Sequence, residues 1–130
     1  MSTTNKKRGP TLEQQRAAFA WKQAIEARTV LGEGYDGYVN LIKGAPALVM
    51  NSGLMATLAY YRSRTGSNSP AARRLLDDLG LWLHERGMGS RDFGVLMQGL
   101  FDSDPLAYRR ATAEMLAFFK WLRHFAAAVN

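Results

Sequence analysis

The sequence predicts an all-α protein, a compact bundle of about five or six helices behind a flexible basic arm. Three observations carry this: apolar residues recur at three- and four-residue spacing, cap and Pro signals punctuate the chain, and no β-branched alternating run of strand length occurs. With 130 residues and 47% hydrophobic composition the chain is sized for one domain, expected over residues 11–130, with residues 1–10 as the arm.

The arm, Ser2–Pro10, is polar and aperiodic and carries Lys6, Lys7 and Arg8. It has no apolar run behind its basic residues, so it does not read as a signal peptide. Thr11 with Gln14 three residues on forms a capping box that opens the first helix, which runs to Gly32. Ala17, Trp21, Ala24 and Leu31, with Phe19 and Ile25 beside them, are its expected apolar face, Trp21 being the large anchor.

Gly32, Gly34 and Gly37 mark a loop, and a short helix is expected over Tyr38–Lys43. It should stop before Gly44-Ala45-Pro46, because the residue before proline avoids the α region. A new helix starting at Pro46 and running to about Arg62 is the expected hub of the core, with Gly53 and Ala56 allowing close approach of another backbone. Gly44–Tyr61 holds eighteen uncharged residues, just short of the ~20 that span a bilayer. Pro46, Asn51, Ser52 and Gly53 interrupt it, so it reads as a helix buried in protein.

After the loop Thr65–Ser69, Ser69-Pro70 sets a cap and a first-turn proline for a helix to Arg86, with Gly87 as its C′ residue. Ser90 is the expected cap of a shorter helix over Arg91–Phe101. Asp104-Pro105 repeats the cap-then-proline signal and opens the last helix, where Tyr108, Thr112, Met115, Phe119, Leu122, Ala126 and Val129 share one stripe.

The chemistry-bearing inventory is sparse. Without cysteine there is no disulfide framework, thiol nucleophile or thiolate metal site, which fits a reducing cytoplasm. His84 and His124 lack the spacing of a metal or acid–base motif, and the twelve glycines form no phosphate-binding loop. Asp77 and Asp78 read as the solvent-exposed ends of i,i+4 pairs with Arg73 and Arg74, and Asp102 and Asp104 as anionic groups at a helix start. No catalytic signature, cofactor, metal or small-molecule substrate is indicated.

Charge is more informative. Of the net +6, residues 1–10 carry +3 and residues 106–130 another +3, leaving the body neutral. On an ideal helix Arg109, Lys120 and Arg123 fall within about 60° of arc. Trp121 and Phe125 interleave that stripe, and Tyr60-Tyr61-Arg62-Ser63-Arg64 repeats the mixture. Such clusters hold phosphates while aromatic groups stack or pack; equally, long basic side chains can simply flank a core helix.

The stretch Tyr38–Arg64, YVNLIKGAPALVMNSGLMATLAYYRSR, resembles the signature of the small all-helical subunit of type III-B CRISPR effector complexes, the Cmr or RAMP module. Its pattern is a basic residue, a proline with an apolar turn, Asn-Ser-Gly-Leu, and an aliphatic-aromatic helix ending in basic residues. Tyr108–Ala128 resembles the family's final helix and Gln15–Lys22 its first, so the resemblance covers about half the chain in the family's order. It implies a helical subunit without nuclease activity, present in several copies along the groove that holds guide RNA paired to target RNA, beside larger RAMP backbone subunits. The matching basic positions are Lys43, Arg62, Arg64, Arg109, Lys120 and Arg123, with Arg16 and Lys22 in the first helix. The arm Lys6–Arg8 has no place in the motif. The type III-A small subunit shares the helical pattern and task. The residues by themselves also admit a free-standing basic helical DNA-binding protein or a protein-only adaptor.

Overall fold

The computed structural model of the protein describes residues 8–66 and 69–130. Most of the basic arm, Lys6 and Lys7 included, and part of the loop before Ser69 lie outside the described residues. Within them the chain forms six α-helices and no strand: α1 (Leu12–Leu31), α2 (Tyr35–Ser52), α3 (Leu54–Thr65), α4 (Pro70–Glu85), α5 (Phe93–Asp102) and α6 (Pro105–Ala128). A single 3-10 turn, Gly32–Gly34, joins α1 to α2.

The helix starts follow local chemistry. Thr11 and Gln14 form the reciprocal capping box, Ser69 accepts from the Ala72 amide at 3.2 Å, and Asp104 accepts from the Ala107 amide at 2.8 Å. Each satisfies a first-turn N–H that has no partner within the helix. At the end of α4, Gly87 takes φ 68°, and the amides of Gly87 and Met88 donate back to His84 and Leu83. This is the Schellman closure expected of a C′ glycine. The cap of α5 is Asp92, which accepts from the Val95 amide at 2.9 Å, and not Ser90, whose hydroxyl accepts from the Asp92 amide instead. Asp102 likewise ends α5, where the Gln98 side-chain Nε2 donates to it, while Asp104 alone caps α6.

The largest departure from the sequence expectation concerns the second and third helices. Gly37, Gly44, Ala45 and Pro46 all lie inside α2, and the break comes at Gly53. A proline inside a helix removes one backbone hydrogen bond and costs about 3 kcal/mol in an isolated helix. Here burial overrides that cost, since Tyr38, Val39, Ile42, Ala45 and Val49 bury a continuous face on both sides of Pro46. Gly53 (φ 89°, ψ 164°) occupies a region that side-chain-bearing residues avoid, and the chain turns there into α3. The turn is held from α6: the Met55 amide donates to the Tyr108 hydroxyl at 3.1 Å. Ala56, expected to let another backbone approach, is exposed, as is Tyr60, and Leu54, Thr57, Leu58 and Tyr61 are buried instead.

The hub is therefore α2, which packs against α1, α3, α4 and α6. Tyr35 at its start donates to the Ala126 carbonyl near the end of α6 at 2.7 Å. Helix α1 lies along α6 through an alanine stripe, Ala20, Ala24 and Ala27, which lets the two backbones approach closely. Trp21 is not the buried anchor expected of it. It is 46% exposed and rides on the flank of that stripe, edge-on to Phe125 at 5.3 Å. The aromatic centre of the bundle is Phe19, Trp82 and Phe118, whose rings lie 5.0–5.8 Å apart. Among the described residues no helix is long and apolar enough to cross a membrane.

Candidate nucleic-acid interface

Eight basic residues were singled out by sequence, and the fold distributes them among environments of different charge. The first environment is interior. Arg16 on α1 donates from Nε and Nη2 to the two oxygens of Glu114 on α6, both at 2.8 Å. Glu114 is 4% exposed and also accepts from Trp82 Nε1 at 3.0 Å. Burial pushes the Glu114 carboxyl up, but the donors and the positive charges of Arg16 and Arg86 outweigh it and leave the group below the usual carboxylate range. Arg16 is thus held by a fork-to-fork ion pair that joins α1, α4 and α6.

A second interior knot was missed by sequence reasoning. Asp78, read there as exposed, is 2% exposed and accepts hydrogen bonds from Gln23 on α1 (2.6 Å), Tyr38 on α2 and Arg74 on its own helix (3.1 Å). Burial pushes its carboxyl up to about 6 against those three donors. The Tyr38 hydroxyl is raised well above its ordinary range by the same burial and by the Asp78 charge. The i,i+4 pair Arg74–Asp78 does form, but as part of a buried network. The sequence held a signal for both knots: Glu114 and Asp78 each fall within the apolar period of their helices, three residues after Ala111 and Leu75.

Lys22, Arg62 and Arg64 are exposed. Lys22 borders a depression that also carries Glu26, Asp77 and Asp92, so its charge is set among acids. The Arg62 guanidinium lies 5.4 Å from the Phe93 ring centroid, beside a depression shared with Asp77, Arg91 and Asp92. Arg64 lies 5.9 Å from the Tyr60 ring centroid. The two carboxylate pairs do not build a metal site: no cluster of three His, Asp or Glu side chains occurs among the described residues.

Lys43, Lys120 and Arg123 do come together. They rim a groove between α2 and α6, in which Pro46 and Met50 form one wall and Leu116, His124 and Ala127 the other. Among the described residues no acidic side chain lines it. Lys43, Pro46 and Met50 share a wall because α2 runs unbroken through Pro46, placing positions i, i+3 and i+7 on one side. The break expected at Gly44–Pro46 hid this relation from sequence reading, and with it Met50 and His124. Lys120 reaches the groove's α1 edge, where its ammonium is 3.6 Å from Glu13 and 5.3 Å from the Trp121 ring centroid. Both partners of that pair are largely exposed, so it leaves the ammonium free to exchange partners. Arg109 is exposed on the same helix about 16 Å further toward its N-terminus, beyond the groove, and extends the cationic stripe along α6. The arrangement can bind anions electrostatically.

Comparison with known proteins gives a consistent answer. The profile of the Cas_Cmr5 family, CRISPR-associated protein, matches residues 12–129. The CRISPR system Cmr subunit Cmr5 of Thermus thermophilus is 32% identical over 119 residues, covering 92% of this chain and 96% of that protein. The crystal structure of a CRISPR-associated Cmr5 family protein from the same organism superposes with a TM-score of 0.75 at 32% identity, over 92% of this chain and 97% of the other.

Proposed function

The chain belongs to the Cas_Cmr5 family, and from that premise we propose that it is the non-catalytic small subunit of a type III-B Cmr effector complex, holding RNA through the cationic α2–α6 face. It acts in the cytoplasm in antiviral defence, in several copies stacked beside the larger RAMP subunits along the paired guide and target RNA. The observation that carries the RNA contact is the groove: Lys43, Lys120 and Arg123 converge there with no acid among its lining residues. Cations so placed attract phosphates without reading sequence, and binding releases condensed counterions, so affinity falls steeply with salt. Arg109 lengthens the track, and exposed Lys22, Arg62 and Arg64 supply peripheral contacts. Arg16 contributes indirectly, by fixing α1 against α6.

The test is charge reversal. Changing Lys43, Lys120 and Arg123 together to Glu is expected to weaken RNA binding strongly and to flatten the dependence of log affinity on log salt by about one unit per lost phosphate contact, roughly three in all. Helical circular dichroism should be unchanged. Wild-type affinity in the triple variant would remove this face from the mechanism. Preference for duplex DNA over RNA would favour a free-standing DNA-binding protein, and salt-indifferent association with protein alone would favour an adaptor.

A further inference from the structure

We propose that the α2–α6 groove seats one unpaired nucleotide of RNA, its base against the apolar floor and its flanking phosphates on the cationic rim. The proposal rests on the RNA-binding reading above and deepens it. A track for phosphates alone needs only cations on a polar surface, yet here Lys43, Lys120 and Arg123 share one groove with Pro46, Met50 and His124. Met50 is 76% exposed, an apolar side chain left in water on the wall of a groove that three cations line. The groove volume of about 590 Å³ lies within the ~300–1,000 Å³ range of clefts that take small ligands. A thioether packs well against a flat aromatic surface, and the His124 imidazole and Arg123 guanidinium are planar groups on which a base can stack. A paired helix keeps its bases stacked inside and can offer the rim only phosphate, whereas an unpaired nucleotide satisfies rim and floor together. Among the described residues no carboxylate lines the groove, which favours an anion, and Pro46, Met50 and Leu116 favour one that carries its own flat apolar surface.

Anisotropy titrations of the full chain distinguish the possibilities, using a short oligoadenylate RNA, an abasic strand of the same length and a blunt RNA duplex. The wild-type chain is expected to bind oligoadenylate roughly tenfold more tightly than the abasic strand, in line with stacking of one base. Met50→Ser combined with His124→Ala changes only exposed side chains, and should abolish that preference while leaving duplex affinity and the salt slope intact. Equal affinity for base-bearing and abasic strands, or a preference that survives in the double variant, would overturn the nucleotide seat and leave the phosphate track standing. Failure to bind any of the three RNAs would overturn both. Displacement of oligoadenylate by an equimolar glutamate-rich peptide would overturn the seat in favour of a protein segment.

Discussion

On the α1 side of the bundle, Arg16 and Arg74 each meet a carboxylate buried from solvent, whereas in the α2–α6 groove Lys43 and Arg123 have no acidic partner among the described residues. Both regions are built from the same residue types on regular helices, and charge count does not separate them; helical period marks Glu114 and Asp78 as buried but does not say which cations they meet. What separates them is which acids the tertiary fold carries to them: Glu114 projects from α6 toward α1, and Asp78 from α4 toward α1 and α2. Cations that are paired inside fix helix positions, and cations left unpaired outside remain available to an anionic partner.

The largest expected effect attacks that contrast directly. Arg16→Ala leaves the Glu114 carboxylate buried with only Trp82 donating to it, and loss of one partner from a buried ion pair typically costs about 3–5 kcal/mol. Arg123→Ala, on an exposed face, should change stability by no more than about 0.5 kcal/mol. Urea unfolding of the two variants measures both. Comparable losses would mean that the groove cations are structural as well.

The second effect concerns pH. The Asp78 carboxyl is raised to about 6 in the folded chain from 3.8, so the folded state holds its proton more tightly than the unfolded state does. Stability from this group is therefore full below about pH 4 and declines by up to about 3 kcal/mol as pH rises through 6. Glu114 has the opposite sign: its carboxyl is lowered, so its contribution is present above the ordinary glutamate range and is lost as pH falls. Denaturant unfolding at a series of pH values between 4 and 7 should show Asp78→Asn removing the decline with rising pH. An unaltered slope would place the titrating group elsewhere.

The contrast also marks what the sequence could disclose. Caps, first-turn prolines and the Gly87 closure act over three to five residues, so Thr11, Ser69, Asp104 and Gly87 announced the ends of α1, α4 and α6 from local chemistry. The path of α2 depended on partners distant in sequence. Local preference argued for a stop before Pro46, and packing of Ile42, Ala45 and Val49 against other helices decided otherwise. The basic residues of the candidate site were all visible, but grouping Lys43 with Lys120 and Arg123 required the unbroken α2 and its crossing with α6. Equally, only the fold shows that Arg16 is engaged by a residue 98 positions away.

Gly53 offers a smaller perturbation that bears on the groove wall from a distance. Its φ of 89° with ψ of 164° is strained for any residue with a side chain, so Gly53→Ala should destabilise the chain by about 1–3 kcal/mol. An added Cβ would lie 3.6 Å from the Tyr108 hydroxyl, an ordinary contact, so the loss should come from backbone strain. Thermal melting that falls by several degrees supports this account, and an unshifted melt would mean that the α2–α3 turn relaxes freely.

The smallest effect tests whether Lys120 belongs with the paired or the unpaired cations. Its contact with Glu13 spans 3.6 Å, and the two side chains are 61% and 49% exposed, so solvent screening and side-chain entropy offset most of the attraction. Glu13→Gln should therefore change stability by less than about 0.5 kcal/mol. Removing that nearby negative charge also leaves Lys120 with a more positive surrounding field, so RNA affinity should rise slightly at low salt and converge with wild type as salt increases. Glu13 also accepts from Arg16 at 3.3 Å, so a large loss of stability that Lys120→Gln reproduces would move Lys120 to the structural group, whereas a loss confined to Glu13→Gln would belong to the Arg16 network.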